Sequence, residues 1–123
     1  DCVPLLLYHE PSGTIGVIHA GRKGTELGIT EKTLKQLPST EGPLHVWLGP
    51  HICEQCYQIN RETNEHYNLL RQNLNQMYNV FEKSNLRLNF ASDCTAHNND
   101  KFYSYRKEGA GVPMNYGVVT FSN

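Results

Sequence analysis

The sequence predicts a mixed α+β fold in which helices flank a layered, mixed β-sheet. Several short apolar runs have the length of strands, and two longer segments repeat apolar residues at helical spacing. Some neighbouring runs are separated only by a short turn containing glycine and proline, as in β-hairpins. Other runs are separated by a helical segment. We therefore expect antiparallel neighbours and crossover connections in the same sheet.

The start of the chain predicts a β-hairpin. Residues 3–8 (VPLLLY) are a continuous apolar run, which is typical of a strand buried on both faces. Residues 9–14 (HEPSGT) contain a proline and a glycine and predict a turn. Residues 15–19 (IGVIH) predict the second strand.

The middle of the chain predicts two helices around a third strand. After a glycine-bracketed basic loop over residues 21–24, leucines at helical spacing predict a helix over residues 25–37, which the following proline ends. Residues 44–48 (LHVWL) predict a strand whose tryptophan, Trp47, lies in the core. Apolar residues at helical spacing, which would lie on one face of a helix, predict an amphipathic helix over residues 64–83.

Three further strands are predicted in the last third of the chain. Residues 86–90 alternate like an exposed strand, and residues 102–106 and 116–121 predict the last two strands. The glycine-rich segment between these two, residues 109–117, predicts a turn.

Composition excludes some classes of function. The 123 residues are 38% hydrophobic and 19% charged, as in soluble globular domains, and the formal net charge is −1. Nucleic-acid and anionic-membrane surfaces need an excess of basic residues, so neither nucleic acid nor membrane is an expected partner. No apolar run approaches the ~20 residues of a membrane span. Without a secretory signal, we expect a cytoplasmic location, where thiols stay reduced.

Cys2 and His19 are the first candidate site. If the predicted hairpin forms, both lie at its open end, where the 21–24 loop also arrives. A thiolate beside an imidazole serves either as an activated nucleophile or as two ligands of a metal ion. The loop adds backbone N–H groups, Arg22 and Lys23, which favour a phosphate or an oxyanion. The alternative is a buried cysteine and a hydrogen-bonded core histidine, which spacing alone favours slightly.

The second candidate combines a Cys-x-x-Cys pair, preceded by a histidine, with a Cys-x-x-His pair further along. Such pairs can bind a structural zinc ion, and a Cys-x-x-Cys pair can also be redox-active. The gap between the pairs is long and contains a helix, so unligated cysteines near a loop are the favoured interpretation. The residues are His51, Cys53, Cys56, Cys94 and His97.

The third candidate is the segment FYSYRK at residues 102–107. Arg106 can bind a phosphate or carboxylate through two hydrogen bonds, and Tyr103 or Tyr105 can stack on a base. The alternative is an edge strand with a solvated arginine.

These pieces together resemble the bacterial laccase-domain family, first called multicopper polyphenol oxidoreductases and now regarded as purine nucleoside-processing enzymes. Some members are called peptidoglycan-editing factors. The resemblance rests on four motifs in the same order, and it runs nearly end to end. The motifs are Asp1-Cys2-Val3-Pro4, His19-Ala20-Gly21-Arg22-Lys23-Gly24-Thr25, Gly49-Pro50-His51-Ile52 with Cys56-Tyr57, and Cys94-Thr95 with Phe102-Tyr103-Ser104-Tyr105-Arg106-Lys107.

The resemblance implies a fold shared with toxin cysteine hydrolases such as cytotoxic necrotizing factor. It also implies a zinc site with one Cys and two His ligands, of which Cys2 and His19 carry over. The third ligand is expected before residue 1, so we interpret residues 1–123 as a single laccase-domain-like domain without its N-terminal portion. The implied activity is phosphorolysis of purine nucleosides with phosphate, or deamination of adenosine. Copper-dependent phenol oxidation is disfavoured because it needs more grouped histidines.

The sequence departs from the family pattern at the anion-binding positions. Arg22 stands where the family has tryptophan, and Lys23 stands where it has arginine. We interpret Arg22, Lys23 and Arg106 as substrate-binding residues. Two alternatives stay open. One is a cysteine hydrolase or amidase with Cys2 as nucleophile, His19 as base and the loop as oxyanion hole. The other is a degenerate binding domain.

Overall fold

The structure, a computed structural model, describes residues 1–122. It is a mixed α+β fold, as the sequence predicts. In chain order the elements are β1 (Val3–His9), β2 (Thr14–Ala20), α1 (Arg22–Glu26), α2 (Ile29–Leu34), β3 (Leu44–Leu48), β4 (Gln58–Asn60), β5 (Glu65–His66), α3 (Leu69–Tyr78), β6 (Leu86–Phe90) and α4 (Tyr105–Glu108).

A four-stranded mixed sheet with the order β2-β1-β3-β6 forms the centre of the fold. β1 is antiparallel to both β2 and β3, whereas β3 and β6 are parallel. A parallel pair needs a crossover connection, and the segment that contains α3 provides it. The loops that follow β3 and β6 consequently leave the sheet at the same edge, which is also where β1 begins.

The predicted hairpin of β1 and β2 is confirmed. Its strands pair from Val3 with Ala20 to His9 with Thr14. The turn contains a short 3-10 segment and ends at Gly13, whose φ of +63° lies in the left-handed region that favours glycine. The hairpin therefore brings the residue before β1 next to the residue after β2.

The sheet is fully buried on one face only, and this corrects two predictions. Residues 3–8 were expected to be buried on both faces, but in β1 only alternate residues are fully buried. Trp47, expected in the core, is 37% exposed on the opposite face. The helices cover the buried face of the sheet. Leu34 of α2 and Leu69 and Met77 of α3 pack in one core with the buried residues of the strands. Each such buried side chain contributes roughly 1.5–3 kcal/mol.

Both predicted helices are shorter than expected. The predicted helix over residues 25–37 is two helices, because Gly28 between them adopts a φ of +77°. The predicted helix over residues 64–83 is reduced to α3, which begins where the Asn68 side chain accepts a hydrogen bond from the N–H of Arg71 at 2.8 Å. An N-cap asparagine satisfies one of the free N–H groups of the first turn.

A buried polar network joins the helices to one another. Asn73 of α3 is fully buried and accepts a 2.6 Å hydrogen bond from the hydroxyl of Thr30 in α2. The amide of Asn73 also donates to the hydroxyl of Thr25 in α1, at 3.0 Å. A buried amide is costly unless its donors and acceptor are paired, so this network specifies one arrangement of the three helices.

The last two predicted strands are wrong. Residues 102–106 form no strand; they lead into α4, whose N-cap Ser104 accepts a hydrogen bond from the N–H of Lys107. Residues 116–121 form neither helix nor strand. Their apolar side chains are largely exposed, so no burial offsets the loss of backbone freedom that a strand requires. Within residues 1–122, none of the helices has the length and apolar character needed to cross a membrane.

Candidate functional site

Cys2 and His19 lie at the same end and on the same face of the β1–β2 hairpin. Val3 and Ala20 pair across the ladder, and both are fully buried on the inner face. Side chains alternate along a strand, so their neighbours Cys2 and His19 point to the opposite face. Cys2 is half-buried and His19 is exposed. A Cβ atom on Gly21 would lie only 2.8 Å from the Cys2 sulfur, so this glycine makes room for the thiol.

Arg22 and Lys23 both have exposed side chains in the first turn of α1. The predicted loop over residues 21–24 is therefore mostly helix, with Gly21 as its N-cap. The guanidinium of Arg22 lies 3.8 Å from the carboxylate of Glu26, one helical turn further on. This exposed pair is weak, so Arg22 keeps its capacity to bind an anion.

Arg106 is held in place by three contacts. Its backbone N–H donates to the carboxylate of Asp1 at 2.8 Å, and its Nη1 donates to the carbonyl of Gln58 at 2.7 Å. The guanidinium lies 5.2 Å from the ring centroid of Tyr57, which is a cation–π distance. The structure thus places Arg106 beside the residue that precedes Cys2.

Tyr57 is the residue of this end that the sequence analysis did not select. Burial raises the pKa of its hydroxyl, and the Cys2 thiolate raises it further, while Arg22 and Arg106 lower it. Of these residues, Arg106 contacts the Tyr57 ring directly. The available signal was the position of Tyr57 directly after the Cys-x-x-Cys pair, in one of the motifs that carry the family resemblance.

Tyr103 and Tyr105, the predicted stacking residues, have largely exposed side chains. The aromatic contact at this end is instead made by Tyr57, whose ring meets the edge of Tyr67 with centroids 6.3 Å apart.

The second predicted set forms one cluster. The ligand atoms of Cys53, Cys56, Cys94 and His97 all lie within 4.8 Å of one another. The Cys56 sulfur lies 3.2 Å from Nε2 of His97, and the Cys53 sulfur lies 3.8 Å from its Nδ1. Among residues 1–122, these four side chains are the group of Cys, His, Asp or Glu residues whose ligand atoms lie close enough together to hold one metal ion.

His51 does not belong to this cluster, although the sequence analysis grouped it with the cysteines. Its Nδ1 is hydrogen-bonded to the carbonyl oxygen of Gly49 at 2.9 Å. Burial lowers the pKa of His51, which favours the neutral imidazole.

The parallel pairing of β3 and β6 brings the two halves of the cluster together. Cys53 and Cys56 lie in the loop after β3, and Cys94 and His97 lie in the loop after β6. The two loops are joined by a parallel bridge between His51 and Cys94. Because parallel neighbours end at the same edge, a separation of 41 residues in sequence becomes direct contact in space.

The cysteines of the cluster differ in acidity. Burial raises the pKa of Cys56 to about 12, and the neighbouring Cys53 thiol adds to this effect. Burial acts in the same sense on Cys94, but backbone N–H groups of Cys53, His97 and Ala96 outweigh it and lower the pKa of that thiol. Hydrogen bonds from backbone amides stabilise a thiolate, so they favour the charged form of Cys94.

A family model described as multi-copper polyphenol oxidoreductase laccase matches residues 1–90. The chain belongs to this family. The match covers the hairpin with Cys2 and His19, α1 with Arg22 and Lys23, and the loop that carries Tyr57. The expectation from the sequence motifs is confirmed.

Relatives of this laccase family member carry names of purine nucleoside enzymes. A purine nucleoside phosphorylase of Campylobacter jejuni is 30% identical in an alignment that covers 88% of this chain and 54% of that protein. An adenosine deaminase from an unknown prokaryotic organism is 30% identical over 80 residues, covering 63% of this chain and 30% of that protein. The chain thus spans about half the length of the first relative.

Solved structures show the same fold. The hypothetical protein YfiH of Bacillus licheniformis superposes with a TM-score of 0.72 at 23% identity, covering 89% of this chain and 51% of that one. Because the identity is only 23%, this similarity establishes the fold of the chain and nothing about its function.

Proposed function

We propose that this protein processes purine nucleosides, with phosphorolysis as its reaction, and that the chain supplies part of the active site. The observation that carries the proposal is the geometry at one end of the sheet. Arg106 lies over the Tyr57 ring and donates its backbone N–H to Asp1, the residue before Cys2. The Cys2 sulfur lies against Gly21, the N-cap of the helix whose first turn carries Arg22. The name of the Campylobacter jejuni relative, which matches along 88% of the chain, supports the choice of reaction.

The cationic side chains suit the phosphate. In phosphorolysis a phosphate oxygen forms a bond to C1′ of the ribose while the bond from C1′ to the purine nitrogen breaks, and the purine leaves with a proton. Arg106 uses one guanidinium N–H group on the Gln58 carbonyl, and its other guanidinium donors have no hydrogen-bond partner among residues 1–122 and can bind phosphate oxygens. Arg22 and Lys23 add positive charge from the first turn of α1.

The zinc ion that the family resemblance implies is only partly accommodated. Cys2 and His19 offer a sulfur and a nitrogen donor on one face of the hairpin. Catalytic zinc sites usually have three protein ligands, and residues 1–122 place no third His, Cys, Asp or Glu donor in a group with these two. We therefore assign no step of the reaction to a metal at Cys2 and His19.

The test is a product analysis with inosine and inorganic phosphate as substrates. We expect release of hypoxanthine and ribose 1-phosphate that depends on phosphate. Arg106→Lys should lower kcat/KM for phosphate about tenfold or more, because lysine cannot reproduce the paired hydrogen bonds of a guanidinium. Arg87→Lys is the matched control, since Arg87 lies on β6 toward the opposite end of the sheet and contacts the carbonyl of Ser84.

Three outcomes overturn the proposal. Conversion of adenosine to inosine without phosphate consumption would favour the deaminase reaction. A covalent acyl adduct on Cys2, formed without metal, would favour the cysteine hydrolase. Absence of turnover of any purine nucleoside, in protein whose fold is verified by circular dichroism, would favour a binding domain.

A further inference from the structure

We propose that Cys53, Cys56, Cys94 and His97 form a structural zinc site, separate from Cys2 and His19, that clamps the loops after β3 and β6 together. The inference rests on the arrangement of these four side chains and does not depend on the proposed enzymatic reaction.

The donor set suits zinc. Three sulfurs and one imidazole nitrogen are a common ligand set of structural zinc, and each pair has the two-residue spacing of a zinc knuckle. With Zn–S bonds near 2.3 Å, two sulfurs of a tetrahedral site lie about 3.8 Å apart. The four ligand atoms already lie within 4.8 Å of one another, so small side-chain rotations close the tetrahedron.

The four ligands identify the kind of site. A catalytic zinc ion usually keeps one position open for water or substrate, whereas four protein ligands close the coordination sphere. The site therefore has a structural role.

The backbone around the cluster supports bound thiolates. The N–H of Cys53 donates to the Cys94 sulfur at 3.3 Å, across the two loops. Cys53 itself is followed by a tight turn in which the N–H of Cys56 donates to the Cys53 carbonyl at 3.1 Å. The first contact satisfies a lone pair of the Cys94 sulfur, as outer-shell donors do at metal sites, and the turn fixes the spacing of Cys53 and Cys56.

The four-ligand cluster lies next to the proposed active site, because the residues that follow Cys56 and Cys94 contact Arg106 and Asp1. Tyr57, the residue after Cys56, carries the Arg106 guanidinium on its ring. Thr95, the residue after Cys94, donates its hydroxyl to the carboxylate of Asp1 at 2.7 Å. A zinc ion at the cluster would thus order two loops. One carries Tyr57, which contacts Arg106, and the other carries Thr95, which binds Asp1.

The test measures zinc binding directly. Reduced, metal-free protein is titrated with Zn²⁺ against a chromophoric chelator, and we expect one tightly bound zinc ion per chain. Cys56→Ser and His97→Ala should each lower zinc affinity more than about 100-fold, beyond the loss typical for an outer-shell contact. Cys2→Ser is the matched control, because it removes one sulfur outside the cluster, and its zinc affinity should equal that of the unmodified chain.

Two further measurements use the unmodified protein, so the proposal stays testable if a variant fails to fold. Co²⁺ substitution should give the intense visible bands of tetrahedral cobalt and the charge-transfer bands of cobalt–thiolate bonds. Hydrogen exchange should show that Zn²⁺ slows the amides of residues 51–57 and 94–98 and leaves those of the β1–β2 turn unchanged.

Three results would overturn the proposal. They are the absence of tight Zn²⁺ binding by reduced and folded protein, retention of zinc in both cluster variants, and loss of zinc in Cys2→Ser. A stable Cys53–Cys56 disulfide in protein purified under reducing conditions would also contradict it, since a disulfide removes two of the ligands.

Discussion

The hydroxyl of Ser104 donates a 2.7 Å hydrogen bond to the carboxylate of Asp1, although 103 residues separate the two in sequence. The same carboxylate accepts hydrogen bonds from the Thr95 hydroxyl and from the N–H of Arg106. One side chain before β1 therefore ties down the loop after β6 and the start of α4. This contact explains how a four-residue helix, too short to be stable alone, holds Arg106 beside Asp1, the residue before Cys2.

Replacement of Ser104 by alanine should release α4. Ser104 is fully buried, and its hydroxyl group is both the donor to Asp1 and the N-cap acceptor for Lys107. We expect Ser104→Ala to lower the free energy of unfolding by about 2 kcal/mol, from the lost cap and the lost charged hydrogen bond. Urea denaturation measures this change.

Ser84→Ala is the matched control for this substitution, because Ser84 is an exposed serine in a short turn. It should change the free energy of unfolding by less than about 0.5 kcal/mol. Equal stability of the two variants would show that the Asp1–Ser104 contact does not stabilise the fold.

Gly21 and Cys2 should be coupled energetically. Gly21 has an ordinary backbone φ of −83°, so only the added Cβ of Gly21→Ala, 2.8 Å from the Cys2 sulfur, creates strain. We expect Gly21→Ala to destabilise the protein by about 1–3 kcal/mol and to cost clearly less in a Cys2→Ala background. A double-mutant cycle measured by urea denaturation reports the coupling.

Gly24→Ala is the control for this cycle. A Cβ at Gly24 meets its nearest neighbour, Ile29, at an ordinary 3.6 Å. Its effect should be additive with that of Cys2→Ala to within about 0.5 kcal/mol. Additive effects of Gly21→Ala and Cys2→Ala would contradict the close approach of the glycine to the thiol.

Glu108 should make the stability of α4 depend on pH. The N–H of Ser104 and the amide of Asn99 donate to its carboxylate, and they lower its pKa below the usual 4.5. A carboxylate with a lowered pKa in the folded state stabilises the fold above the unfolded pKa, and this contribution is lost as the pH falls through the folded pKa. Stability should therefore decline from about pH 4.5 downwards.

The comparison is with Glu108→Gln, which cannot titrate. The difference in urea midpoint between the unmodified protein and Glu108→Gln should be largest near pH 6 and should shrink below pH 4.5. Glu62→Gln, on the exposed turn between β4 and β5, is the control. Its urea midpoint should differ from that of the unmodified protein by the same amount at every pH. A constant difference for Glu108→Gln across this range would refute the assignment.

The central strands could be predicted from the sequence because burial and turn chemistry agree there. Apolar runs next to glycine or proline placed β1, β2 and β3 within one residue of their observed ends, and the alternation at residues 86–90 placed β6. The hairpin between β1 and β2 followed from its turn, and so did the shared end of Cys2 and His19. The roles predicted for these two residues, and for Arg22, Lys23 and Arg106, stay predictions.

Segments whose conformation depends on distant contacts could not be predicted. Alternation at residues 102–106 indicates a strand, but Asp1 supplies hydrogen-bond acceptors that stabilise the start of α4 instead. Apolar residues at 116–121 also indicate a strand, yet their side chains are mostly exposed and the segment adopts no strand. Local propensity is overridden at both places by what the rest of the chain offers.

The sequence by itself determined the class of fold, the hairpin that carries Cys2 and His19, and the order of motifs that marks the laccase family. These features arise from short-range patterns, which a chain carries wherever it folds. Only the tertiary structure decided that Tyr57 lies beneath Arg106, and that Cys53, Cys56, Cys94 and His97 form one cluster. The spacing of the two pairs suggested a zinc set, but the sequence could not show that they meet. The physical reason is the parallel pairing of β3 with β6, a long-range contact that places two distant loops side by side.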